Sequence, residues 1–187
     1  MDNVNKLIIT AGHHNADSGA VANGFRENEE AIKDRNELVK AVHFISPSTQ
    51  VIIDDDNDNL ATVIRKINNL GSPNDILLDI HYNSAKVVAT GVEAFINGKD
   101  DPENRRIAGR LVELSSKILS LPNRGVKLES SSQHPRLGIL HTVVRRSILL
   151  ERGFINNAGD MESIEELRRE WALGTAHILI QELTKLR

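Results

Sequence analysis

The chain has 187 residues, of which 40% are hydrophobic, and a formal net charge of -3. That length and apolar content suit one domain, assigned to residues 1–187, with a core substantial enough to exclude disorder. The small charge and an aromatic content of 3% exclude the usual footprints of nucleic-acid and anionic-membrane binding, and the absence of cysteine excludes disulfides, cysteine-held zinc and thiol nucleophiles.

In chain order, KLIITA (Lys6–Ala11) is a short apolar run ending in GHH, which predicts a buried strand feeding a loop. A helix is expected around Glu29 to Val42, with Ala31, Ile32, Leu38, Val39 and Val42 near one face. QVIID (Gln50–Asp54) reads as a strand. After the polar run DDDNDN, the spacing of Leu60, Val63, Ile64, Ile67 and Leu70 predicts an amphipathic helix, closed by Gly71 and Pro73. DILLDIH (Asp75–His81) and GVEAFIN (Gly91–Asn97) are further strands. Pro102 opens a helix whose stripe is Ile107, Leu111, Leu114 and Ile118. A Gly/Ser-rich stretch from Asn123 to Pro135 reads as a long loop, SILLE (Ser147–Glu151) as a strand, and Asp160 to Leu186 as one helical segment. Strands alternating with helices predict an α/β layer structure with a largely parallel sheet, in a single domain.

Polar residues fall where such a sheet collects ligands. His13 follows the first strand, with His14 beside it as an alternative; Glu27 lies just before or at the start of the first helix; His81 and Glu151 end two apolar strands. The carboxyl ends of parallel strands form one rim, so two His and two Glu would meet there. Two neutral imidazoles and one carboxylate give Zn²⁺ three ligands and leave a position open. A carboxylate outside that set can take a proton from water and hand it to a leaving nitrogen. Glu151 carries most weight, because a carboxylate directly after SILL is costly to bury without a partner.

Three segments resemble the catalytic domain of N-acetylmuramoyl-L-alanine amidase family 3. TAGHHNADSGAVANGFRE is similar to its opening, through Gly12, His13, Asp17, Gly19, Ala20, Gly24 and Glu27. DIHYNS, with His81 and Asn83, resembles its S-x-H-x-N segment, and LLERGFINN, with Glu151, Gly153, Phe154 and Asn157, its closing segment. The resemblance implies a twisted, mostly parallel sheet flanked by helices (phosphorylase/hydrolase-like), zinc held by His13, Glu27 and His81, Glu151 as catalytic acid/base, and hydrolysis of the amide between N-acetylmuramic acid and L-alanine in peptidoglycan. Two departures stand out: Asp79 replaces the usual serine before the second His, and RENEE also offers Glu29 and Glu30 as ligands. Asp79 alternates to the same side of the strand as His81, where it either supports the ligand or is solvated.

Asn83 and Arg136 are the candidate substrate contacts, Arg136 for a peptide carboxylate from the loop SSSQHPRLGIL, which also holds His134. DDDNDN fails as a calcium loop, since Asn59 and Arg65 stand where Gly and Glu are needed; Asp58 or Asn59 is expected to cap the helix at Leu60. His43 and His177 fall within helices without a special role, and Arg145 and Arg146 are read as a solvent-facing pair. No signal peptide or transmembrane segment is visible. The expectation is a monomeric chain made in the cytoplasm that acts on the wall after release, with peptidoglycan as its partner, as a phage-type lysin or a bacterial enzyme. The rivals are a zinc carboxypeptidase-like hydrolase of other peptides and a non-catalytic wall-binding module.

Overall fold

Leu7–Ala11 (β1) presents five consecutive buried side chains, which suits a parallel strand covered on both faces. A computed structural model describes residues 5–87 and 89–185. The first four residues of the segment read for a leader, and Leu186 at the end of the expected C-terminal helix, lie outside the described residues. Three more strands run parallel with β1 in one sheet: Val51–Ile53 (β4), Ile76–Asn83 (β5) and Arg146–Phe154 (β8). Val92–Ile96 (β6) then pairs antiparallel with β8, and Asn123–Leu128 (β7) pairs parallel with β6. The order is β4-β1-β5-β8-β6-β7, with Val21–Ala22 (β2) and Phe25–Arg26 (β3) as a separate small hairpin. The expected mostly parallel α/β sheet is therefore present, with its last two strands reversed.

The helices are Glu27–Ile45 (α1), Leu60–Leu70 (α2), Pro102–Leu119 (α3), Ala158–Glu166 (α4) and Arg168–Thr184 (α5). Asn59 caps α2 by accepting from the Thr62 N–H, and Asp101 caps α3 with Pro102 in its first turn. Strand alternation divides the core. Leu78, Ile80, Leu150 and Ala94 join the large cluster that includes residues of α1, α3 and α5. Ile8, Leu77, Phe95 and Leu149 join a small cluster with Val63 and Ile67 of α2 and Ile139 and Leu140. The second face is only thinly covered, and the site opens there. Among the described residues, no helix is long and apolar enough to cross a membrane.

Three expectations are corrected. Asn123–Leu128 is a strand rather than loop; it is an edge strand with Asn123 and Arg124 exposed, so it lacks the apolar density that marks a strand in sequence. The C-terminal helical segment divides at Leu167, whose φ of -105° and ψ of 17° leave the helical region; no Gly or Pro announces the break. Arg146 does not face solvent with Arg145: its side chain is 11% exposed and reaches Glu103 at 2.8 Å.

Candidate active site

Period-two alternation sorts each strand into a site face and a core face. In β5, Asp79 and His81 face the thin side while Ile80 and Tyr82 face the large core. Glu151 of β8 is in register with His81 of β5 on one side and Glu93 of β6 on the other. His13 stands just past the end of β1, and Glu27 is the first residue of α1.

Glu27 bridges the two histidines. Its Oε2 lies 3.2 Å from His13 Nε2 and its Oε1 3.0 Å from His81 Nδ1; it also accepts from the N–H groups of Ala20 and Tyr82 at 2.9 and 3.1 Å. One ligating atom from each of these three residues lies within 4.8 Å of the other two, and this is the group among the described residues fit to hold a metal. The remaining ring nitrogens each meet an acid: His13 Nδ1 is 3.0 Å from Asp17 Oδ2, and His81 Nε2 is 3.1 Å from Asp79 Oδ2. That pairing fixes which nitrogen of each ring is free for a metal. Asp79 is itself held by the Thr10 hydroxyl, which donates to Oδ1 at 2.6 Å; it is buried, so it supports His81 and is not solvated. Two glycines let the pieces approach. A methyl on Gly12 would stand 2.4 Å from His81 Cε1, and one on Gly19, where φ is +61°, 2.6 Å from Glu27 Oε2.

The charges are strongly coupled. Burial acts to raise Glu27, but hydrogen bonds from both imidazoles outweigh it and hold the carboxyl well below its usual range. Burial opposes a charged His81, yet Asp79 and Glu27 raise it well above an ordinary histidine; His13 is raised by Glu27 in the same way. Burial, reinforced by the negative charges of Glu27, Glu93 and Asp79, pushes Glu151 up to about 8. Glu151 Oε2 is buried without a hydrogen-bond partner among the described residues. An acid-rich pocket with two imidazoles and an unpartnered carboxyl oxygen suits a divalent cation: the donor set is two nitrogens and one oxygen, and the cation's charge would offset the crowding of carboxylates.

Two cavities meet at this group. One, of about 450 Å³, is largely apolar and reaches Leu60, Val63 and Ile139; the other, of about 360 Å³, is lined by Asn83, Glu93, Ser131, Gln133 and Glu151. His13, His81 and His134 line both. Thus His13, Glu27, His81, Asn83 and Glu151 come together as expected from the sequence. Glu30 does not join them; it is buried against Lys33 and Arg168. His14 lines the apolar arm but is outside the three-residue group. Arg136 is exposed and lines neither cavity, although its loop neighbours His134 and Leu137 line both. Sequence reasoning missed Glu93. Its Oε1 accepts from Asn83 Nδ2 at 2.7 Å, and its Oε2 meets Arg124 and Lys127 at 2.7 and 2.6 Å. The available signal was a glutamate inside the apolar strand GVEAFI, the same anomaly that singled out Glu151.

The family model described as N-acetylmuramoyl-L-alanine amidase matches residues 7–179. CwlM of Bacillus licheniformis, an N-acetylmuramoyl-L-alanine amidase, is 26% identical over 165 residues, covering 86% of this chain and 60% of CwlM. The chain therefore spans less than two thirds of that relative. YqiI of Bacillus subtilis is 28% identical over 169 residues, covering 84% of this chain and 74% of YqiI. The catalytic domain of the amidase CwlV from Bacillus (Paenibacillus) polymyxa superposes with a TM-score of 0.78 at 20% identity, covering 97% of this chain and 99% of that one. A putative N-acetylmuramoyl-L-alanine amidase from Neisseria meningitidis gives 0.76 at 25% identity, covering 96% of each chain. With a match that runs from β1 into α5 and spans the whole His-Glu-His group and Glu151, the chain belongs to the N-acetylmuramoyl-L-alanine amidase family and is, by that membership, a peptidoglycan amidase.

Proposed function

We propose that the amidase cleaves the bond between N-acetylmuramic acid and L-alanine with zinc held by His13, Glu27 and His81 and with Glu151 as the proton-transfer group. The observation that carries this reading is the convergence of three ligating side chains beside a buried carboxyl oxygen with no partner. When bound, zinc polarises an amide carbonyl and lowers the pKa of a water from about 15.7 to about 7.

The chain's residues supply the rest. Asp17 and Asp79 hold the two imidazoles in the tautomers that leave His13 Nε2 and His81 Nδ1 free. Glu151 Oε2 accepts the proton of the attacking water and returns it to the departing L-alanine nitrogen. The water oxygen is left on the lactyl carbon as a carboxylate. A base must be ionised to start this cycle, and a cation in the site would oppose the burial and the negative neighbours that together push Glu151 up to about 8. Asn83, held by Glu93, presents its amide in the polar arm as a substrate contact. Arg136 is the candidate contact for a stem-peptide carboxylate at the outer rim. The working form is read as a monomer with peptidoglycan as its partner, made in the cytoplasm and acting at the wall.

The test is metal content and product analysis on purified sacculi. Wild type is expected to hold one zinc per chain and to release stem peptides with a free L-alanine amino terminus. His81→Ala loses both. Glu151→Gln keeps the metal and loses activity by about 10²-fold or more; full activity in a zinc-loaded Glu151→Gln protein would end the assignment of that residue. Release of free C-terminal amino acids with intact muropeptides would point instead to a carboxypeptidase.

A further inference from the structure

On the core face of the sheet, directly behind the site, lies a buried charge cluster that the chemistry above does not use. Arg152 of β8 is fully buried, with its guanidinium 3.8 Å over the Trp171 ring and ion-paired to Asp34 of α1, itself fully buried. Asp34 Oδ1 also meets Arg168, and the Tyr82 hydroxyl donates to Asp34 Oδ2. Each partner has a notable neighbour in the chain. Tyr82 follows His81, Arg152 follows Glu151, and Asp34 lies two turns along α1 from Glu27. One carboxylate thus ties together the three elements that carry Glu27, His81 and Glu151.

In a strand, successive side chains project to opposite faces of one backbone, so fixing Tyr82 and Arg152 behind the sheet fixes the height of His81 and Glu151 in front of it. Tyr82 is held twice, since its own N–H donates to Glu27. Apolar packing alone is non-directional and tolerates sliding of a helix over a sheet, whereas a catalytic group needs placement to about 0.5 Å. Buried ion clusters are seldom the most stable way to fill a core, so this cluster is better explained by the position it enforces. We infer that Asp34 is a positioning residue, which sets the spacing of α1 against β5 and β8 and, through Tyr82 and Arg152, the separation of Glu27, His81 and Glu151. The inference rests on the reading of Glu27 and His81 as metal ligands.

The experiment uses the full chain and two variants, Asp34→Asn, which removes the charge in nearly the same shape, and Tyr82→Phe, which removes one hydroxyl. For each, zinc Kd is measured by chelator competition, the visible spectrum is recorded after cobalt loading, and kcat, KM and Tm are determined. Asp34→Asn is expected to raise the zinc Kd about tenfold or more, as loss of a supporting contact does elsewhere, to move the cobalt bands and to lower kcat with KM little changed. Tyr82→Phe is expected to shift the same three quantities in the same direction, by a few fold in Kd, at near wild-type Tm. A lower Tm with wild-type Kd, cobalt bands and kcat in the folded protein would mean a merely structural cluster and would overturn the inference. Should Asp34→Asn not fold, Tyr82→Phe decides alone, and wild-type values there overturn it. A wild-type chain that binds neither metal would remove the ligand reading itself, an outcome separable from wild type and variants binding metal equally well.

Discussion

Gly12 and Gly19 matter for what they lack. Each would place a methyl carbon within 2.6 Å of a site side chain, a separation that forces the ring or carboxylate to move. Gly12→Ala is expected to displace His81, weakening zinc binding by at least tenfold while leaving the circular dichroism spectrum unchanged; wild-type zinc affinity in this variant would refute the close approach. At this scale the sequence was informative about residue types with few alternative uses. His13 after an apolar strand and Glu151 after SILL are chemically conspicuous. Choosing Glu27 over Glu30 was harder, because both are buried near the start of α1 and only the partners differ: imidazoles for Glu27, Lys33 and Arg168 for Glu30. Glu93 escaped because its neutralising partners, Arg124 and Lys127, sit in a segment read as loop.

The join between α3 and α5 turns on Glu182, a side chain 1% exposed that meets Arg106, Arg110 and Lys185. The Arg106 hydrogen bond, with help from the other cations, lowers its carboxyl to about 2. A carboxyl depressed in the folded state stabilises above its unfolded pKa of about 4.3 and loses that contribution as pH falls toward the folded value. With the arginines partly exposed and screened, the worth is about 1–2 kcal/mol. Glu182→Gln should therefore cost that amount in urea unfolding at pH 7, with the gap to wild type closing as pH approaches 2. A gap that persisted unchanged at low pH would show that packing, not charge, is responsible. Elements built on apolar periodicity, such as α2 and β5, were readable in advance. α1 was readable as a helix, but its buried face is partly charged, with Glu27, Glu30, Asp34 and Arg35 inside, and periodicity of apolar residues cannot report that.

For the molecule as a whole, the candidate ligands come from sequence positions as far apart as His13 and His81, so metal bound there would couple to folding of the domain. At a free zinc concentration of about 100 times Kd, binding adds about 2.7 kcal/mol, which for a domain of this size raises Tm by about 5–10 °C. Thermal melts with zinc and with a chelator check this; coincident melts would show that the group does not hold the ion. The α/β class followed from the alternation of strand-like and helix-like segments, while the reversal of β6 and β7 did not, since strand direction depends on connections that apolar pattern does not encode.

The opposed faces of β8 also bear on how such a domain can change over generations. Insertion or loss of one residue between Ser147 and Glu151 would exchange Glu151 with Arg152, turning a guanidinium into the groove and a carboxylate toward Trp171. Length variation is thus barred from β5 and β8 and is left to the segment that rims the cavities, residues 131–137. Divergence in what the groove accepts would accumulate there, as changes of loop length and composition around chemistry that stays in place.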